Sequence, residues 1–124
     1  MRTALQDSGD AAESLVANRL AAAGWLIVAR NVRVGRGELD IVAVDHGPPR
    51  ELVIVEVRWR GRRDFGLADE TLDRRKRAHL RAAIGRLLAD GLPNDDRLPA
   101  LPIRVDFVVV EPGGRVRHHR HVAL

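Results

Sequence analysis

Apolar residues recur every three or four positions in two stretches of the chain. In five others they alternate or run on without a break, and the contrast predicts the elements. Ala12, Leu15, Val16, Leu20 and Ala23 predict a first helix from about Asp10 to Ala23, stopped by Gly24. Asp10 reads as its N-cap, with Glu13 completing a capping box. Trp25 to Val32 reads as a strand, and Gly35-Arg36-Gly37 as the turn after it. Gly37 to Val44 and Leu52 to Arg58 then form a hairpin across a loop containing Gly47-Pro48-Pro49. Leu72, Leu80, Ala83, Ile84, Leu87 and Leu88 stripe a long helix, about Glu70 to Asp90, ended by Gly91 and Pro93. Ile103 to Val110 and Arg115 to Val122 are two further strands around Pro112-Gly113-Gly114. The order helix, three strands, helix, two strands predicts a single α/β domain over residues 1–124, with a mixed sheet flanked by helices.

Two acids interrupt the apolar hairpin. A loop of His46 to Arg50 sets Asp40 opposite Glu56, with Cβ atoms roughly 5 Å apart. Carboxylates that close, in strands fit for burial, repel and resist desolvation unless a proton or a cation lies between them. Joined by a backbone carbonyl, they would suit Mg²⁺ or Mn²⁺. A salt bridge to Arg58, on the same strand face as Glu56, or to another arginine, would satisfy them as well. Lys76 lies one helical turn from both Leu72 and Leu80, on the inward side of its helix. There it either meets the acids or snorkels along the helix edge. Glu13 either closes the capping box or reaches the site as a third acid.

Charge and composition narrow the classes. Arginine and lysine outnumber the acids 21 to 17, which favours an acidic partner such as DNA or RNA. Lys76 is the sole lysine, so the arginine excess also reflects coding bias. Arg60, Arg62 and Arg63 in the loop, with Arg74, Arg75 and Arg77 on the second helix, would bind phosphates or make a solvated face. His118, His119 and His121 read as solvated residues of an edge strand. Cysteine is absent, which excludes disulfides and thiolate sites and suits a reducing cytoplasm. No apolar run approaches the roughly 20 residues of a membrane span, and Met1 to Asp10 has no apolar segment like a secretion signal. The chain has no glycine-rich phosphate loop with its lysine, no serine nucleophile motif and no His-Glu-x-x-His run. An exposed strand edge would serve a homodimer.

Several stretches together resemble the YraN-like family of small bacterial proteins. They are Gly9-Asp10-Ala11-Ala12-Glu13, Gly37-Glu38-Leu39-Asp40-Ile41-Val42-Ala43 and Val53-Ile54-Val55-Glu56-Val57-Arg58-Trp59-Arg60. Phe65-Gly66, Arg75-Lys76-Arg77 and Arg104-Val105-Asp106-Phe107-Val108-Val109 also fit. That family resembles the restriction-endonuclease-like PD-(D/E)XK nucleases, whose core is helix-strand-strand-strand-helix-strand. The resemblance implies that Asp40, Glu56 and the Val57 carbonyl hold the divalent ion. It places Glu13 facing the site and implies hydrolysis of a phosphodiester by activated water. One departure stands out: the superfamily's lysine is Arg58 here. Arginine supplies charge, but its pKa above about 12 rules it out as a base. Lys76 is the candidate substitute. A non-catalytic nucleic-acid-binding or scaffolding domain on the same fold is the alternative.

Overall fold

A computed structural model describes residues 4–61, 72–93 and 97–124. Helix α1 spans Ala4–Ala22. It begins six residues before Asp10, which therefore lies in the body of the helix and not at its cap. Ser, Gly and Asp cost a helix interior only about 0.5–1 kcal/mol each relative to alanine. Burial of Ala12, Val16, Ala17 and Leu20 offsets that. The helix ends where Gly24 turns left-handed (φ 94°) and the Trp25 N–H reaches back to the Leu20 carbonyl at 3.0 Å.

Helix α2, Arg74–Asp90, starts later than the expected Glu70, which lies outside the described residues. Asp73 is extended (ψ 169°), and its carboxylate accepts from the Lys76 N–H at 2.7 Å, so the helix begins after it. Leu80, Ala83, Ile84 and Leu87 are buried. Leu88 leaves the expected stripe and is 57% exposed. A residue one step on from Leu87 is turned about 100° away from it.

Five strands, β1 Leu26–Val34, β2 Gly37–Asp45, β3 Glu51–Trp59, β4 Ile103–Val110 and β5 Val116–His119, form one sheet in the order β1-β2-β3-β4-β5. All neighbours pair antiparallel except β3 and β4, which are parallel, with α2 in the connection between them. β5 stops at His119, short of the expected Val122, just before His121 turns to φ 53°. The β2–β3 register is Asp45 to Glu51 through Ile41 to Val55, as a five-residue loop requires.

Alternation sorts the core onto two faces. Val42, Val44, Leu52, Ile54 and Phe107 pack with the α2 residues Leu80, Ile84 and Leu87. Ile41, Ala43, Val53, Val55 and Val108 pack with the α1 residues Val16 and Leu20. Each helix thus covers one face of the sheet. The alternation fails at one point: Leu39 belongs with the α2 side and Ile41 with the α1 side, although residues two apart on a strand share a face. The residue between them is Asp40. Here the β2–β3 pairing has ended, and the Val57 N–H donates to the Asp40 Oδ2 at 2.8 Å.

Candidate functional site

That irregular point gathers acids from three elements. Glu13 comes from α1, Asp40 from β2 and Glu56 from β3. Their couplings run in a row, Glu13 to Asp40 and Asp40 to Glu56. At one end the Lys76 amine, from the first turn of α2, lies 2.7 Å from the Glu56 Oε1. At the other end Asn31, in β1, donates its amide to the Glu13 Oε2 at 2.6 Å and the Glu38 Oε1 at 3.2 Å. This amide orientation is the one its hydrogen-bonding neighbours require. Helical spacing alone had left Lys76 two readings, and its amine turns to the acids.

The acids are poorly compensated. Burial first, then the charge of Asp40, pushes Glu56 up to about 7, with Lys76 pulling the other way. Burial and Asp40, followed by Glu38, push Glu13 up to about 7 against the pull of Arg30. Burial also raises Asp40, despite the Val57 N–H and Lys76. The Lys76 charge is opposed by burial, but Glu56 and then Asp40 outweigh that and hold it above its usual range. One atom stands out: the Glu56 Oε2 is buried with no hydrogen-bond donor. Its neighbour Asp40 offers only acceptors unless a proton is shared between them.

Beside the row opens a cleft of about 320 Å³, lined by Glu56, Val57, Arg58, Asp73 and Lys76. Arg58 is exposed at this cleft, and Arg60 is half-buried just beyond it on the chain. Arg74 and Arg75 are exposed on the first turn of α2 and Arg77 is half-buried. Arg62 and Arg63 lie outside the described residues. Among the described residues no three His, Asp or Glu side chains are grouped to hold a metal ion by themselves. A cation here would rest on two carboxylates and a carbonyl.

A second charged cluster lies at the opposite end of the β2–β3 hairpin. The Arg104 side chain, 4% exposed, donates to Asp106 at 2.9 and 3.1 Å, to Glu51 at 3.0 Å and to Asp45 at 3.1 Å. The His118 Nε2 lies 2.7 Å from the Asp106 Oδ2, and the His121 N–H donates to the Oδ1 at 3.2 Å. His118 is therefore not the solvated edge residue the sequence suggested: its ring is 23% exposed and held by a fully buried acid. Here the acids are satisfied. Burial opposes the Asp106 charge, yet His118, Arg104 and the His121 N–H hold the carboxyl below its usual range. Asp45 is likewise lowered, against burial, by the Gly47 N–H and Arg104.

Sequence reasoning missed Asn31 and Glu38 at the site. Asn31 has φ 51°, a left-handed residue inside an edge strand. Asparagine tolerates that conformation better than most side chains, but nothing in a run of alternating residues marks the bend.

Comparison with known proteins agrees across nearly the whole chain. The protein is 37% identical over 106 residues to a UPF0102 protein of Dehalococcoides mccartyi, covering 86% of this chain and 81% of that one. It is 41% identical over 110 residues to one of Roseiflexus castenholzii, covering 88% and 82%. For one of Symbiobacterium thermophilum it is 40% over 111 residues, covering 88% and 87%. Among solved structures, Pyrococcus furiosus SfsA in complex with Ca²⁺ aligns over 96% of this chain and 64% of its own. That alignment has 17% identity and a TM-score of 0.33, a likeness too low to argue from. The sequence profile of the uncharacterised protein family UPF0102 matches residues 12–110, and the chain belongs to that family.

Proposed function

We propose that the Asp40–Glu56–Lys76 cleft binds a phosphodiester of DNA or RNA on a restriction-endonuclease-like core, and hydrolyses it with Mg²⁺ or Mn²⁺. The observation that carries this reading is the orphaned Glu56 Oε2 within a row of three acids. A protein that pairs Asp45, Glu51 and Asp106 with Arg104, and Asp45 also with Arg120, leaves this set short of positive charge. A hard cation completes it. Asp40, Glu56 and the Val57 carbonyl would hold the ion, a small protein ligand set that suits a metal keeping several waters. When bound, such an ion supplies activated water and charge stabilisation on the phosphate.

The chain's own groups do the rest. Lys76 neutralises charge developing on the phosphate and holds Glu56 in one rotamer. Glu13, poised near pH 7, takes or gives a proton beside Asp40. Arg58 adds charge at the cleft mouth. At the start of α2 the N-cap Asp73 already accepts from the Lys76 N–H, so the positive charge that the helix offers the cleft is the Lys76 amine.

The rival, a non-catalytic nucleic-acid-binding domain, is favoured by a specific observation: Lys76 already occupies the Glu56 Oε1. The test is cleavage of single-stranded, duplex and branched DNA and of RNA, with Mg²⁺ or Mn²⁺ and with EDTA. Asp40→Asn and Glu56→Gln serve as controls, and Arg58→Lys as a gain-of-activity variant. Metal-dependent cleavage lost in both acid variants is expected. Cleavage unchanged in both defeats the mechanism, and binding without cleavage in any condition establishes the rival.

A further inference from the structure

Helix α2 borders a second cleft besides the acid site. Its first turn borders the acid site, and its middle borders a second cleft of similar size, about 320 Å³, against the β1–β2 turn. The walls of the second cleft are Gly35, Arg36 and Gly37 on the turn, facing His79, Ala82 and Arg86 on the helix. The small residues matter. Gly35 makes the tight turn with φ 59°, and a Cβ at Gly37 would stand 3.7 Å from the Ala83 Cβ, so turn and helix lie close together. Among the described residues, the lining of this cleft includes two arginines and no carboxylate, whereas the first cleft carries Glu56 and Asp73. Asp90 binds the Arg86 Nε at 2.6 Å, and the guanidinium has further N–H donors to offer.

Lys76, His79, Ala83 and Arg86 succeed one another at three- and four-residue spacing along one side of α2. From Lys76 to Arg86 the helix rises about 15 Å. At about 3.4 Å per stacked nucleotide, that is a tract of roughly four. We infer that the second cleft is the backbone-binding half of a continuous nucleic-acid groove, in which Arg36 and Arg86 grip phosphates of the strand whose reacting phosphate lies at the acid site. The inference rests on the nucleic-acid reading above. It names a strand-holding surface on residues that reading does not use. Phosphate contacts of this kind fix register and orientation without reading sequence.

The test measures binding alone. Fluorescence anisotropy of labelled 12-residue DNA and RNA oligonucleotides, in EDTA, compares the wild type with Arg36→Gln/Arg86→Gln. The matched control is Arg19→Gln/Arg115→Gln, which removes the same charge from exposed positions on α1 and at the β4–β5 turn. Ala82→Glu places a carboxylate on the groove wall while keeping both arginines. The groove variants are expected to bind at least tenfold more weakly at low salt. The double variant should also flatten the slope of log affinity against log salt by about 1.5, two phosphate contacts' worth. The control should shift less than threefold. If the double variant and Ala82→Glu bind like the control, the groove is wrong and the acid-site reading stands. If the wild type binds neither DNA nor RNA, the nucleic-acid reading falls and the groove with it. If polyglutamate displaces the oligonucleotide as well as unlabelled oligonucleotide does, the cleft takes acidic polymers generally and the phosphodiester assignment is overturned.

Discussion

Glu56→Gln should make this protein more stable at neutral and alkaline pH, by an amount that grows with pH. Glu56 is buried, its side chain 7% exposed, and its pKa stands at about 7 against an ordinary 4.5. The folded protein therefore keeps a proton that the unfolded chain releases between those values. Stability from that proton is whole below pH 4.5 and is lost as the pH rises through 7. A displacement of that size corresponds to about 3 kcal/mol. Glutamine is neutral throughout and its amide oxygen still accepts from Lys76. The loss of the ion pair with a half-exposed lysine costs at most about 1 kcal/mol. The variant should thus equal or slightly trail the wild type at pH 4.5 and exceed it by about 2 kcal/mol at pH 8. With a urea m-value of about 2 kcal/mol/M, that is a midpoint shift of roughly 1 M. Urea unfolding of both proteins from pH 4.5 to 8 reads it directly. Parallel stability curves, with a pH-independent gap, would refute the claim that burial and Asp40 oppose the ionisation of Glu56. Mg²⁺ at pH 8 should raise wild-type stability and leave the variant nearly unchanged, because binding to the folded state alone shifts the equilibrium.

Asn31→Ala should cost about 1–2 kcal/mol, from the left-handed φ and two lost hydrogen bonds. It should also raise the Glu13 carboxyl, since a donor to its charged form is gone; carboxyl ¹³C NMR titration checks the direction. Arg104→Met strips three carboxylates of a shared cation and should destabilise by about 3–5 kcal/mol, measured by thermal unfolding. Asp45 and Asp106 lie below the ordinary carboxylate value of 3.8, so the stability they contribute is present above that pH and lost below it. Acid unfolding of the wild type should therefore show a steep limb below pH 4 that Asp106→Asn blunts.

Much of this was legible in the order of residues. The loop of His46 to Arg50 set the hairpin register that brings Asp40 and Glu56 together, because side-chain period and loop length leave no other pairing. Leu80 put Lys76 on the inward side of α2, but spacing alone did not choose between the acids and the helix edge, and Leu72 lies before the helix begins. What could not be read has a common cause: it depends on contacts between residues far apart in the chain. Asp45, Glu51 and Asp106 are three unremarkable acids until Arg104 joins them across up to 59 positions. The same holds for Asn31, whose bend serves Glu13 on another element. The start of α1 failed differently. Ser8-Gly9-Asp10 has the residues of a cap, but a helix already under way runs through them.

The two ends of the β2–β3 hairpin answer one physical problem in opposite ways. Both place carboxylates in a buried or half-buried setting between apolar strands. At the Asp45–Glu51 end the Arg104 guanidinium, with Arg120 3.7 Å from Asp45 and His118 behind, supplies donors in the fork geometry that carboxylates match, and Asp45 and Asp106 titrate low. At the Asp40–Glu56 end one lysine faces three acids, an oxygen is left without a donor, and the carboxyls titrate high. A sequence with 20 arginines and a single lysine had every means to pair the second set as it paired the first. Folding alone gains nothing from leaving it short. The deficit is intelligible as the complement of something that binds.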